Sequence, residues 1–185
     1  MNDLISLGSI ENAVEHLIEA EISSFLYKSI DDWQQFFKDT IDLDLKNVSV
    51  EWGEIVEIYQ RRHIFVHNRG IVSKQYLAKV DKKYKDSIPI GDSLKVDMEY
   101  LKLSNDLLLF QGIIIINALW ANLVKKDISK RCLGAMYIST YTMYAKRWTV
   151  GRACLTEFLK DKRLNGAEKM TVRLTYGSAL KGLRA

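Results

Sequence analysis

Proline is nearly missing from this 185-residue chain: Pro89 stands alone, and the ten glycines are scattered rather than clustered. With so few breakers, and with apolar positions recurring every three or four residues, a strand-rich or linker-divided architecture is excluded and a mostly helical one is expected. Cysteine is also scarce. Cys132 and Cys154 are too few for a disulfide framework and lack the paired spacing of a zinc site, so they read as free thiols in a reducing compartment, which implies a cytoplasmic location. The opening MNDLISLGSIENAVEHL has an acid at its third residue and no basic region before an apolar block, which argues against a signal peptide. Long apolar runs are absent too. The longest, Leu107 to Trp120, is too short to span a bilayer and contains Gln111 and Asn117, so it is expected to be a buried core helix, with no membrane partner. Neither a low-complexity segment nor an internal repeat divides the chain.

A length of 185 residues with 48% hydrophobic composition suffices for one sizeable core. The expected architecture is all-α: a helical bundle over residues 1–125, with further C-terminal helices over residues 126–185 packed on the same domain. Ser9 precedes a three-four apolar rhythm through residues 9–29, and Asp31 or Asp32 offers a cap for a second helix ending near Leu43. Ser49 can cap a third helix, whose apolar positions keep helical spacing up to Asn68 and Gly70, a pair suited to the left-handed conformation that stops helices. A short helix with Tyr76 and Leu77 inward follows, then a polar connection around DKKYKDSIPIGD and a short extended piece at Leu94 to Val96. Asp97 or Ser104 can cap the long apolar helix. Ser129 begins another helix that runs to about Trp148, and two more follow, split near Asn165.

Charge is unevenly placed behind a net of +4. Residues 1–60 carry 3 basic and 13 acidic groups, and residues 61–185 carry 24 basic and 10 acidic groups. An acidic first third followed by a basic remainder is compatible with an anionic partner on one side of the molecule, and equally with an uneven but solvated surface.

The densest chemistry lies in RRHIFVHNRG, residues 61–70, which holds two of the three histidines. His63 and His67, four apart, share a helix face and could bind one metal ion, but His16 is the only other histidine and the metalloprotease glutamate is missing, so no metal or other cofactor is expected. Arg62 with His67 pairs a permanent cation with a group that exchanges protons near neutral pH. That combination suits phosphodiester cleavage, the base taking a proton from an attacking hydroxyl while the guanidinium steadies phosphoryl charge. RNA carries that hydroxyl at its 2′ position and DNA does not. On an ideal helix the two side chains stand about 140° apart with about 7.5 Å of rise, too divergent for one phosphate. Two copies packed antiparallel about a two-fold axis would bring all four groups to one groove, which predicts a homodimer. A purely structural reading is also open: Glu57 and Arg61 have ion-pair spacing, and cations near a helix C-terminus offset its dipole.

The stretch Arg62-His63-Ile64-Phe65-Val66-His67 resembles the signature of the HEPN domain superfamily: an arginine, a polar residue, three variable residues, then histidine. The flanks of EIVEIYQRRHIFVHNRGIVSKQYL are similar as well, with a helix rising to the motif, a His-Asn-x-Gly ending and a hydroxyl-plus-Tyr-Leu stretch opening the next helix. The resemblance is specific over about residues 50–77 and general in helical pattern over residues 9–125. It implies a HEPN-like helical bundle, dimerisation through the motif helices and metal-independent endoribonuclease activity on single-stranded RNA, in toxin–antitoxin, abortive-infection and antiviral defence systems. By this resemblance His67 is the general base or acid, Arg62 the phosphate contact and His63 the polar residue that orients the site; Arg61, Asn68, Arg69 and Lys74 are expected to contact substrate. A protein antitoxin is an implied partner. Arg69 occupies the position where toxins silenced by a nucleotidyltransferase carry a tyrosine, which puts that mode of silencing in doubt. The alternative expectation is a non-catalytic HEPN-like dimer that binds RNA, a nucleotide or a protein. The basic C-terminal third offers Lys125, Lys126, Lys130, Arg131, Arg147 and Arg152 as further RNA contacts, with Trp120 and Trp148 expected in the core.

Overall fold

The computed structural model describes residues 8–48, 52–124 and 126–184, and among them it is all-α, with a single isolated antiparallel bridge between Ile71 and Ser93. Contacts group the chain into two compact units, Met1–Asp42 and Leu43–Ala185; the expected junction at 125–126 falls inside the second.

In the first unit, Ser9 caps α1 (Ile10–Leu26) by accepting from the Asn12 N–H. Helix α2 (Ile30–Ile41) is capped by Ser29 rather than by Asp31 or Asp32. Ser29 Oγ accepts from the Asp32 N–H, and Asp32 accepts in return from the Ser29 N–H at 3.0 Å. The two aspartates thereby sit in the first turn, where negative charge offsets the helix dipole. The helix stops at Ile41 because Asp42 turns left-handed, with φ of 55°. Phe25 joins the two helices: its ring centroid lies 4.7 Å from Phe36 and 5.6 Å from Trp33, whose Nε1 donates to the Phe25 carbonyl at 2.8 Å.

The second unit opens with a turn of helix, α3 (Leu45–Val48), and then α4 (Trp52–Asn68), which carries the histidine cluster. The expected α4 cap, Ser49, lies outside the described residues. α4 ends on two left-handed residues, Arg69 and Gly70 (φ 53° and 78°), so the conformation expected of Asn68 falls one residue later. Gly70 cannot be replaced cheaply: a Cβ there would lie 3.2 Å from the Phe65 ring as well as in an unfavourable conformation. Asn68 Nδ2 instead donates to the Ile71 carbonyl at 2.7 Å, closing the turn. The chain then pairs briefly with itself, Val72 N–H to the Asp92 carbonyl and Leu94 N–H to the Gly70 carbonyl, so the extended contact sits around Ser93 rather than at Leu94 to Val96. Ser73 caps α5 (Lys74–Lys79), and α6 (Lys82–Lys85) follows. Ile64, Val72, Tyr76, Val80 and Leu94 form a small core under this turn.

Asp97, not Ser104, caps the 26-residue helix α7 (Met98–Leu123), accepting from the Tyr100 N–H at 2.7 Å. By length and composition α7 is long and apolar enough to cross a membrane, so the apolar run understated the helix. Nor is it the buried core helix expected: its buried residues are Ser104, Gln111, Ile113 and Ile114, while Leu108 and Ile116 are 40% and 57% exposed. Helices α8 (Ile128–Tyr144) and α9 (Trp148–Leu159) pack on it, and α10 (Gly166–Gly182) packs on those two. α8 starts at Ile128 and stops four residues short of Trp148, because Lys146 turns left-handed, with φ of 60°. Asn165 caps α10 in a capping box with Glu168. The main core lies here and includes both free thiols, Cys132 and Cys154, the latter pushed up to about 12 by burial. Trp120 and Trp148 are half-buried and lie against Gly134 and Gly182.

Candidate active site

The site begins with a carboxylate that the motif does not contain. Glu57, one turn before Arg61 and 1% exposed, accepts from the Tyr76 hydroxyl at 2.7 Å, the Tyr100 hydroxyl at 3.0 Å and Arg61 Nε at 2.6 Å. Arg61 also donates to the Lys95 carbonyl at 2.9 Å and lies over the Tyr100 ring at 4.2 Å. A buried carboxylate survives only when its oxygens are fully hydrogen-bonded, and this one ties α4 to α5 and to the start of α7. Burial and the adjacent Glu57 charge raise the phenols of Tyr76 and Tyr100, the latter to about 12. One turn earlier, Glu54 accepts from Lys83 and from Tyr84, whose phenol burial also lifts to about 12.

Arg61 is therefore not a free substrate contact, and the structural reading of the Glu57–Arg61 spacing describes it correctly. Its neighbour is different. Arg62 is exposed, no carboxylate pairs with it among the described residues, and its charge opposes the burial-driven rise of the Tyr59 phenol. His63 and His67 are exposed on consecutive turns, with ring centroids 4.6 Å apart and planes at 47°. Among the described residues no group of three His, Cys, Asp or Glu is placed to hold a metal ion. Arg69 and Lys74 are exposed beyond the helix end, whereas Asn68 is used in closing the turn. The structure thus gathers Arg62, His63, His67 and Arg69 on solvent-facing surface and withdraws Arg61 and Asn68 into structural bonds.

Sequence reading missed the α4–α7 groove beside Arg62, about 380 Å³ in volume and walled mainly by apolar side chains. The only signal for it is that Leu101 and Leu108 lie a helical interval apart on a helix too apolar for its burial. The C-terminal cations contribute less than their number suggests. Arg131, 5% exposed, is bound by Asp161 and Asn117, Arg147 holds Asp106, and Lys130 pairs with Asp127; Lys125 lies outside the described residues. Two arginines, Arg163 foremost, hold the Asp161 carboxyl well below the usual carboxylate range. No known protein family, characterised protein or solved structure matches the chain, so its own residues carry the functional argument.

Proposed function

We propose that this chain is a HEPN-type, metal-independent endoribonuclease of the cytoplasm that acts on single-stranded RNA as a homodimer, in the manner of a toxin or antiphage effector. The observation that carries the reading is the contrast between adjacent arginines: Arg61 is sequestered by Glu57, while Arg62, His63 and His67 are left exposed together on the last two turns of α4.

In this reading His67 takes the proton from a ribose 2′-hydroxyl, whose oxygen attacks the adjacent phosphorus. The bond from phosphorus to the 5′-oxygen breaks, an imidazolium of the twin subunit protonates that leaving oxygen, and the products are a 2′,3′-cyclic phosphate and a 5′-hydroxyl. Arg62 neutralises charge on the non-bridging oxygens, and His63, packed against His67, orients it. The divergence of Arg62 and His67 around α4 is why a second copy is required, and exposed Val66 lies on the face it would meet.

Purified protein is expected to cut single-stranded RNA in excess chelator, leaving cyclic phosphate ends, with loss of about 10²-fold or more in rate for His67→Ala. Cleavage untouched by that substitution refutes the assignment. RNA binding without turnover would instead favour the non-catalytic dimer, for which the same exposed surface serves.

A further inference from the structure

The groove between α4 and α7 opens beside Arg62, and its chemistry is that of a base pocket rather than a phosphate site. Phe65, Val96, Leu101 and Leu108 give it apolar walls, Arg62 lines it together with Arg61, whose charge Glu57 already neutralises, and Asn105 supplies an uncharged amide. Its volume, about 380 Å³, lies within the range of small-ligand pockets, which characteristically combine apolar walls with a few placed polar groups.

The orientation of Asn105 is settled by its neighbour. Arg147 Nη1 donates to Asn105 Oδ1 at 2.7 Å and to Asp106 Oδ1 at 2.7 Å. A guanidinium has no acceptor, so the amide atom facing it must be oxygen, and Nδ2 is left with two N–H donors. Among the described residues none accepts from them. Adenine is read by an amide that accepts from its amino group while donating to its ring nitrogen, which needs both halves of the side chain. Asn105 Oδ1 already accepts from a guanidinium, which draws on its lone pairs and makes it a poorer acceptor for an amino group, while the free Nδ2 donors suit the carbonyl oxygens of uracil.

Helix geometry keeps this groove clear of the dimer face. Arg62 stands about 60° around α4 from Phe65, on the groove side, and about 100° from His63, on the outward side. One guanidinium can therefore hold a phosphate between an outward cleavage face and an inward base pocket. RNA-binding sites typically seat unstacked bases against aromatic and apolar side chains in this manner.

We infer that the α4–α7 groove is a nucleobase subsite for the nucleotide whose phosphate Arg62 holds, selecting carbonyl-bearing bases such as uracil over adenine through the donor half of Asn105, with Arg147 as the positioning residue. This rests on the ribonuclease reading for its biological sense, but its test does not. Calorimetric titration of the full chain with uridine 3′-monophosphate, adenosine 3′-monophosphate and inorganic phosphate reads the subsite directly. The uridine nucleotide is expected to bind about tenfold more tightly than the adenosine nucleotide, the equivalent of one hydrogen bond. Arg147→Met frees the amide to rotate and should collapse that ratio towards one. Leu108→Trp fills the groove and should weaken both nucleotides about tenfold or more while sparing phosphate. Equal affinity for the two nucleotides in the wild-type protein overturns the inference. So does nucleotide affinity that Leu108→Trp leaves unchanged while it disrupts the dimer, because the groove then belongs to the twin subunit. Wild-type protein that discriminates nucleotides without cutting RNA keeps the subsite and removes the nuclease; protein that cuts at every base alike does the reverse.

Discussion

Glu57→Ala strips the acceptor from three donors at once. The Tyr76 hydroxyl, on a residue 1% exposed, loses its partner, and the Arg61 guanidinium is left without a counter-ion. Removing one member of a buried ion pair costs about 3–5 kcal/mol, and an orphaned buried hydroxyl adds about 1–3 kcal/mol. Arg61 can swing partly towards water, so the net loss is taken as about 4 kcal/mol. At about 2–4 °C per kcal/mol for a chain of this size, the melting temperature should fall by about 8–16 °C. Arg61→Ala should cost about 2–4 kcal/mol, since the two tyrosines still donate to the carboxylate it abandons. Arg62→Ala, one residue on, removes an exposed side chain and should stay within about 0.5 kcal/mol of wild type while abolishing RNA cleavage. Thermal unfolding followed by the helical circular dichroism signal, alongside the cleavage assay, measures all three. The double variant Glu57→Ala/Arg61→Ala should be less destabilised than the sum of its parts by about 1–3 kcal/mol, because the two side chains share one interaction. An Arg62→Ala protein that melts as low as Arg61→Ala, or a Glu57→Ala protein that melts with wild type, refutes the division of labour between these residues.

Arg69→Gly relieves a left-handed conformation and should stabilise the fold by up to about 1 kcal/mol, visible as a higher midpoint in urea unfolding; a lower midpoint would show that the Arg69 side chain makes a stabilising contact. Tyr84 and Tyr100 are held protonated up to about pH 12, above the unfolded value of 10.0. The unfolded chain then binds fewer protons between those limits, so stability present below pH 10 should drain away as pH rises towards 12, which ultraviolet tyrosine titration beside circular dichroism will follow. Asp161 has the opposite sign: its lowered carboxyl contributes stability above the ordinary carboxylate range that is lost as pH falls through it. Asp161→Asn, which leaves the buried Arg131 without its counter-ion, should destabilise by about 3–5 kcal/mol in thermal unfolding and flatten that acid dependence.

Much of the helical order was legible because the signals are local. Ser9, Asp97 and Asn165 act as caps through hydrogen bonds to residues three positions away, which no distant contact has to arrange. The exceptions are local competitions. Ser29 wins the α2 cap from Asp31 and Asp32 because the box with Asp32 satisfies two groups together, and Arg69 takes the left-handed position because Asn68 is still hydrogen-bonded as helix. The reading of α7 failed for another reason. Apolar composition reports that a helix has something to bury, but only its neighbours decide how much: α8 and α9 pack on α7 while α10 packs on those two, and of α7 only Ser104, Gln111, Ile113 and Ile114 are buried.

Sequence by itself determined the helical class, the placement of Arg62, His63 and His67 near the end of one helix, and the impossibility of Arg62 and His67 meeting on that helix, because spacing and helical pitch are properties of the local chain. Tertiary structure decided which of two adjacent arginines is free. Arg61 is claimed by Glu57, Tyr100 and the Lys95 carbonyl, two of them supplied by chain more than thirty residues away. No periodicity reports a partner that far along the chain; helical spacing offers Glu57 to Arg61, but only folding brings the ring and the carbonyl to the same guanidinium and leaves the next one open to solvent.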